Sequence, residues 1–125
     1  MMARKLQKNL ETGGATRLRV QELLFRVCID SPLDNGYELK DLSREQLKEL
    51  HRFISDTVYK KLTVSQVDAE YLRKQGLSAP PLKRGSIDLV HYGKDRTAFR
   101  IFGYYNADGY FSICRIDGSH KANKQ

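Results

Sequence analysis

Residues 97–121 read TAFRIFGYYNADGYFSICRIDGSHK, and the way this stretch folds back on itself decides the rest. Runs rich in aromatic and β-branched residues flank Asn106-Ala107-Asp108-Gly109. Asp-Gly between such runs signals a tight hairpin, because the corner needs a positive φ that these residues tolerate. With Asp108 and Gly109 at the corner, Arg100 falls opposite Asp117. With all four residues in the loop, it falls opposite Arg115. Like charges facing each other across a ladder cost stability, so the Asp-Gly corner is the expected one.

Side chains alternate along a strand, and both registers sort them the same way. One face carries Phe99, Ile101, Gly103, Tyr105, Tyr110, Ser112, Cys114 and Ile116, and is expected to meet helices. The other carries Arg100, Phe102, Tyr104, Phe111, Ile113 and Arg115. Arginine interleaved with aromatic rings suits phosphates and unpaired bases. The plainer alternative is a half-buried sheet over which arginine stems lie while their heads reach water.

A chain of 125 residues with 40% hydrophobic and 30% charged side chains fits one globular domain with a modest core. The expected division is a flexible basic arm over 1–16, a single α+β domain over 17–121, and a tail over 122–125. No apolar run is long enough to cross a bilayer and no signal-peptide core stands at the start, which points to the cytoplasm. Cys28 and Cys114 both fall in expected strands, which suits reduced thiols rather than a disulfide framework. The net charge of +7 is uneven, with an excess of four positive charges over 1–26, four over 83–125, and one negative charge between. Such a surface draws polyanions through counterion release, and it also keeps a small protein soluble.

Earlier in the chain, Arg17 to Asp30 reads as a long first strand, with Leu23, Phe25, Val27 and Ile29 on its apolar side and Arg26 on the reverse. Ser31-Pro32-Leu33-Asp34-Asn35-Gly36 ends it, and Tyr37 to Lys40 is read as a short extended return. Two helices follow, each announced by a capping box and a hydrophobic staple. These are Ser43/Gln46 with Leu42/Leu47, and Thr63/Gln66 with Leu62/Val67. Leu47, Leu50, Ile54 and Val58 form the expected inner face of the first helix. The second runs through Val64, Val67 and Tyr71 to a C-cap at Gly76, with Arg73 and Lys74 in its last turn. A stiff connector over Ala79 to Gly85 leads to a strand with Ile87, Leu89 and His91 alternating. The expected fold is a mainly antiparallel twisted sheet in β-α-α-β-β-β order, with two helices packed on one face.

This order, with Arg100-Ile101-Phe102-Gly103, Asp108-Gly109-Tyr110-Phe111 and Ile116-Asp117-Gly118-Ser119-His120-Lys121, resembles the small RelE/ParE-type toxins and related short proteins of prokaryotes and mobile elements. The likeness covers the last quarter of the chain, and Gly118 stands where that group usually has proline. It implies a twisted sheet that faces RNA, an endoribonuclease activity in some members, and a neutralising protein partner. Positions carried over are Arg100 and Arg115 toward RNA, and His120 and Lys121 as a polar end group.

Cleaving RNA without metal needs a base, an acid and cations around the phosphate. The candidate catalytic residues are therefore His120, Lys121 and Tyr104. The candidate nucleic-acid contacts are Arg100, Arg115, Phe111, Phe102 and Arg26. A polar turn over Asp117 to Lys121, with the imidazole accepting a backbone bond, is the structural alternative for His120. His91, on an apolar face, reads as a core histidine. No metal-ligand spacing, phosphate loop or dinucleotide fingerprint occurs, so no cofactor is expected. Two functions fit: an RNA-binding toxin-like protein, with or without endoribonuclease activity, or a non-enzymatic inhibitor or regulator acting on a protein or nucleic-acid partner. Expected partners are RNA or another polyanion and a neutralising protein, with no membrane.

Overall fold

Both capping boxes close as read. Ser43 Oγ accepts from Gln46 N at 3.2 Å while Ser43 N donates to Gln46 Oε1 at 2.8 Å. Thr63 and Gln66 repeat this at 3.2 and 2.8 Å. They start α1 (Arg44–Thr57) and α2 (Val64–Tyr71). The computed structural model describes residues 20–73, 82–94 and 97–118. Around the helices it places β1 (Val27–Cys28), a 3-10 turn (Leu39–Asp41), β2 (Leu72–Arg73), β3 (Lys83–Arg84), β4 (Ile87–Asp88), β5 (Val90–Gly93), β6 (Arg100–Tyr105) and β7 (Phe111–Asp117). The fold is α+β. A five-stranded sheet in the order β1-β7-β6-β5-β2 is antiparallel except where β1 runs parallel to β7, and β3 and β4 form a separate hairpin. Among the described residues, no helix is long and apolar enough to cross a membrane.

The helices cover one face. Phe53, Val64, Val67 and Tyr71 meet Tyr92, Ile101, Phe111, Ile113 and Ile116 in the main core, with Phe25 inserted from the segment before β1. Phe25 lies 5.9 Å from Phe53, 5.7 Å from Tyr92 and 5.9 Å from Phe111, an aromatic cluster of edge-on and tilted pairs. Pairs of this kind add roughly 0.5–1.5 kcal/mol beyond area burial. A part-buried polar chain borders it: Tyr92 donates to Asp68, the two hydroxyls of Tyr92 and Tyr105 lie 2.6 Å apart, and Gln21 donates to Asp68 at 2.8 Å. Burial, then Tyr105 and Asp68, pushes the Tyr92 hydroxyl far above its ordinary range, so it stays a donor.

Several expectations change. The long first strand is a helical turn at 20–22, then an extended crossing, with only Val27–Cys28 in the ladder. The crossing pairs elsewhere: Phe25 N donates to Leu62 O and Val64 N to Leu23 O, both at 2.8 Å. The return at Tyr37 to Lys40 is a turn leading into the 3-10 segment. Leu47 is 45% exposed and lies outside the core, whereas Leu50 and Val58 of the expected inner face pack against it beside the buried Phe53 and Thr57. Helix α2 ends at Tyr71, because Leu72 and Arg73 pair with Tyr92 and His91. Gly76 lies outside the described residues.

The hairpin register is a composite. At its base Arg100 faces Asp117 and Phe102 faces Arg115, as the Asp-Gly corner requires. Beyond Phe102 the register shifts by one, so that Gly103 faces Ile113 and Tyr105 faces Phe111. The loop closes through Gly109, at φ +83°, whose N–H donates to Asn106 O at 3.0 Å. The resulting bulge places an extra residue at Cys114 and exchanges the faces of the outer half of β7. Phe111 and Ile113 therefore enter the helix-side core, while Ser112 and Cys114 leave it.

Candidate anion-binding face

The second face of the sheet is partly roofed. Leu82 and Leu89, flanking the β3–β4 hairpin, pack on Phe102, Cys114 and Tyr104, with Leu89 N donating to Leu82 O at 2.8 Å. Phe102 is fully buried beneath them, stacked on His91 at 4.3 Å. Neither Phe102 nor Phe111 presents a ring to a ligand, which corrects both as base-stacking contacts. Arg100 keeps the expected face but is 6% exposed. Its Nη1 donates to Thr97 O and Phe99 O at 2.7 Å each, and to Lys94 O at 3.4 Å. A guanidinium tied to main-chain carbonyls fixes a loop rather than facing a phosphate.

Arg115 is placed differently. Pro32 stops the extended segment, and the turn that follows clasps β7 on either side of the bulge. Asp34 N donates to Cys114 O at 2.9 Å, Tyr37 N to Asp34 O at 2.9 Å, and Ile116 N to Tyr37 O at 3.0 Å. Arg115 emerges between these contacts. Its Nε donates to Asp34 Oδ2 at 2.5 Å, and its guanidinium carbon lies 4.5 Å above the Tyr37 ring. Arg84, carried by the hairpin that turns at Gly85-Ser86, reaches the same carboxylate. Its Nη2 donates to Asp34 Oδ1 at 3.0 Å, and its Nη1 to Ser31 Oγ at 2.9 Å.

Two guanidinium groups thus share one carboxylate. Their side chains are 29% and 25% exposed, against 32% for Asp34. Burial alone would raise the Asp34 pKa, but the bonds from Arg115 and Arg84 outweigh it and hold the carboxyl below its ordinary range. The same contact lifts Arg84 above its ordinary value against the opposing effect of burial. The trio keeps one positive charge. Among the described residues, the two Nη groups of Arg115 have no hydrogen-bond acceptor. Half-buried Tyr104 and fully buried Cys114 lie within the field of Arg84. Neither Arg84, Asp34 nor Tyr37 stood out in the sequence. For Arg84 a signal existed, since Gly85-Ser86 between two short extended pieces is a two-residue hairpin pattern.

The remaining candidates divide. Arg26 is exposed at the far end of the hairpin, 5.9 Å from the Tyr110 ring centroid. Tyr104 sits near Arg84, but His120 and Lys121 lie outside the described residues. No group of histidine, cysteine and carboxylate side chains suited to a metal occurs among the described residues. On the helix side a shallow hollow is bordered by Glu49, Arg52 and Asp56. Its carboxylates are paired locally, Glu49 with Arg52 at 2.9 Å and Asp56 with Lys60 at 3.6 Å, and Lys94 also lines it, so it lacks the pair of guanidinium groups on one carboxylate that marks the Arg84–Arg115 face.

Both cysteines are free thiols. Burial, followed by the thiol's bond to Asp30 at 3.3 Å, pushes Cys28 up to about 11. Since the thiolate is the nucleophile, Cys28 should alkylate with iodoacetamide at about pH 8 at least ~10-fold more slowly than free cysteine. Asp30→Asn should accelerate it, as the thiol then loses its carboxylate acceptor. A rate matching free cysteine in the unaltered protein would contradict the geometry.

Compared with protein-family models, curated proteins and solved structures, the chain matches none.

Proposed function

We propose that the protein binds RNA on the second face of its sheet, with Arg84 and Arg115 at phosphate and Tyr104 and Arg26 beside the strand. The observation that carries this reading is the Arg84–Asp34–Arg115 trio: cations outnumber the carboxylate, and an arginine plane rests on an aromatic ring. Planar guanidinium groups suit phosphate because they donate in parallel pairs. The basic balance of the chain supports the same reading. It agrees in kind with the RelE/ParE resemblance but relocates the contact, from Arg100 to Arg84. A toxin-type endoribonuclease activity would need the proton-transfer groups His120 and Lys121 in addition, so binding is the core of the proposal.

The test is fluorescence anisotropy with a labelled single-stranded RNA of roughly 12 nucleotides. If each arginine neutralises one phosphate, Arg84→Gln/Arg115→Gln should flatten the slope of log K against log salt by about 1.4. Affinity at about 50 mM salt should fall roughly tenfold or more, while the corresponding Lys variants keep most of the slope. Binding that ignores salt, or is unchanged in a folded double Gln variant, defeats the proposal.

A further inference from the structure

The trio raises a question the RNA reading leaves open: why an anion-binding face carries a carboxylate at its centre. Asp34 occupies the position between the guanidinium groups that a ligand oxygen would take. It is held there by its own backbone as well, through Asp34 N to Cys114 O and Tyr37 N to Asp34 O. We infer that Arg84 and Arg115 form an oxyanion site in which Asp34 is the resident counter-ion, exchanged at Arg115 when a multiply charged phosphate-type anion arrives.

The inference rests on the same face being a phosphate site and adds its selectivity. A tethered carboxylate competes at a high effective concentration. A free monoanion of equal charge, such as acetate, gains nothing by displacing it. A diphosphate brings more charge and more acceptor oxygens: the open Nη groups of Arg115 take one phosphoryl group as Asp34 leaves it, and Arg84 reaches the other. Ser31, already bonded to Arg84, holds that guanidinium in place during the exchange. Asp34 therefore lowers affinity for every anion and excludes the weakly charged ones. It is a specificity-determining residue rather than a scaffold alone.

Inorganic pyrophosphate, acetate and the same short RNA, each titrated separately into the full chain in acetate-free buffer, separate free phosphate compounds from the nucleic-acid backbone. Arginine Hε resonances of the unaltered protein should move at Arg115 with pyrophosphate and stay still with acetate. Asp34→Asn, which keeps the backbone contacts and one acceptor, should bind pyrophosphate roughly tenfold more tightly and begin to bind acetate, since one competing charge is gone. An Asp34→Asn protein that binds pyrophosphate equally or more weakly overturns the inference, as do unmoved Arg115 signals in the unaltered chain. Should the variant fail to fold, the resonance titration alone decides. Pyrophosphate behaving as described while RNA fails to bind sinks the RNA reading and leaves this one standing. RNA binding indifferent to Asp34 does the reverse.

Discussion

Gly103→Ala should lower stability by about 3 kcal/mol, the upper part of the range for forcing an atom into a packed site. A Cβ at Gly103 would lie 2.2 Å from the Ser112 carbonyl oxygen and 2.8 Å from Cζ of Phe111. The first contact is with backbone on the adjoining strand, which cannot rotate away as a side chain can. Gly103 is also where the β6–β7 register shifts, so relieving the clash means undoing the bulge that sends Phe111 and Ile113 into the core. For a domain of this size the loss corresponds to a midpoint lower by on the order of 10 °C. Gly85→Ala is the natural control. Gly85 has φ +61° but nothing within 4 Å of its Cβ position, so only the backbone conformational cost of about 1 kcal/mol applies. Thermal or urea denaturation of the two variants checks the claim, and equal losses would mean that the tight strand contact is not there.

The features that could be read from the sequence are those whose hydrogen bonds close within a few residues. Ser43 with Gln46 and Thr63 with Gln66 need no information from elsewhere, and both boxes form. The base of the hairpin was legible too, because charge repulsion between Arg100 and Arg115 excludes one register and Asp117 stabilises the other. The bulge was not. Strict alternation assumes an uninterrupted ladder, whereas here Cys114 and Ile116 bond to Asp34 and Tyr37, some eighty residues away in the chain. The long first strand failed for a related reason. Alternating Leu23, Phe25 and Val27 specify an extended chain but not its partner, and the helix connection at Leu62 to Val64 took that role. At α2 the basic pair before Gly76 imitated a helix end, but cross-strand pairing of Leu72 with Tyr92 stopped the helix sooner.

The same tertiary contacts explain why the site was only half visible. Arg115 and Tyr104 were found because they alternate in a strand. Arg84 sits in a two-residue strand and Asp34 and Tyr37 in a loop, where charged and aromatic residues are common, and their convergence depends on the hairpin and the loop meeting over β7. Arg100 shows the converse. Its spacing matches that of Arg115, yet the carbonyls of Lys94, Thr97 and Phe99 bind its guanidinium and it is removed from the surface.

Phe111 provides the sharpest separation between the face read from alternation and the face produced by the bulge. Its ring is fully buried, 5.0 Å from Tyr92, 5.4 Å from Tyr105 and 5.9 Å from Phe25. Phe111→Ala should therefore cost about 3–5 kcal/mol, the range for emptying an aromatic core site. That is a large share of the roughly 5–15 kcal/mol that holds a domain together. RNA affinity, measured well below the variant's midpoint, should stay within about threefold of the unaltered protein, because Arg84 and Arg115 lie on the opposite side of the sheet. A ring stacking on bases would invert the pattern, with little change in stability and a binding loss of about 1–3 kcal/mol. Urea denaturation and RNA anisotropy on this one variant weigh the two effects directly. Stable protein with weakened binding would return Phe111 to the open face and remove the bulge on which the proposed anion site is built.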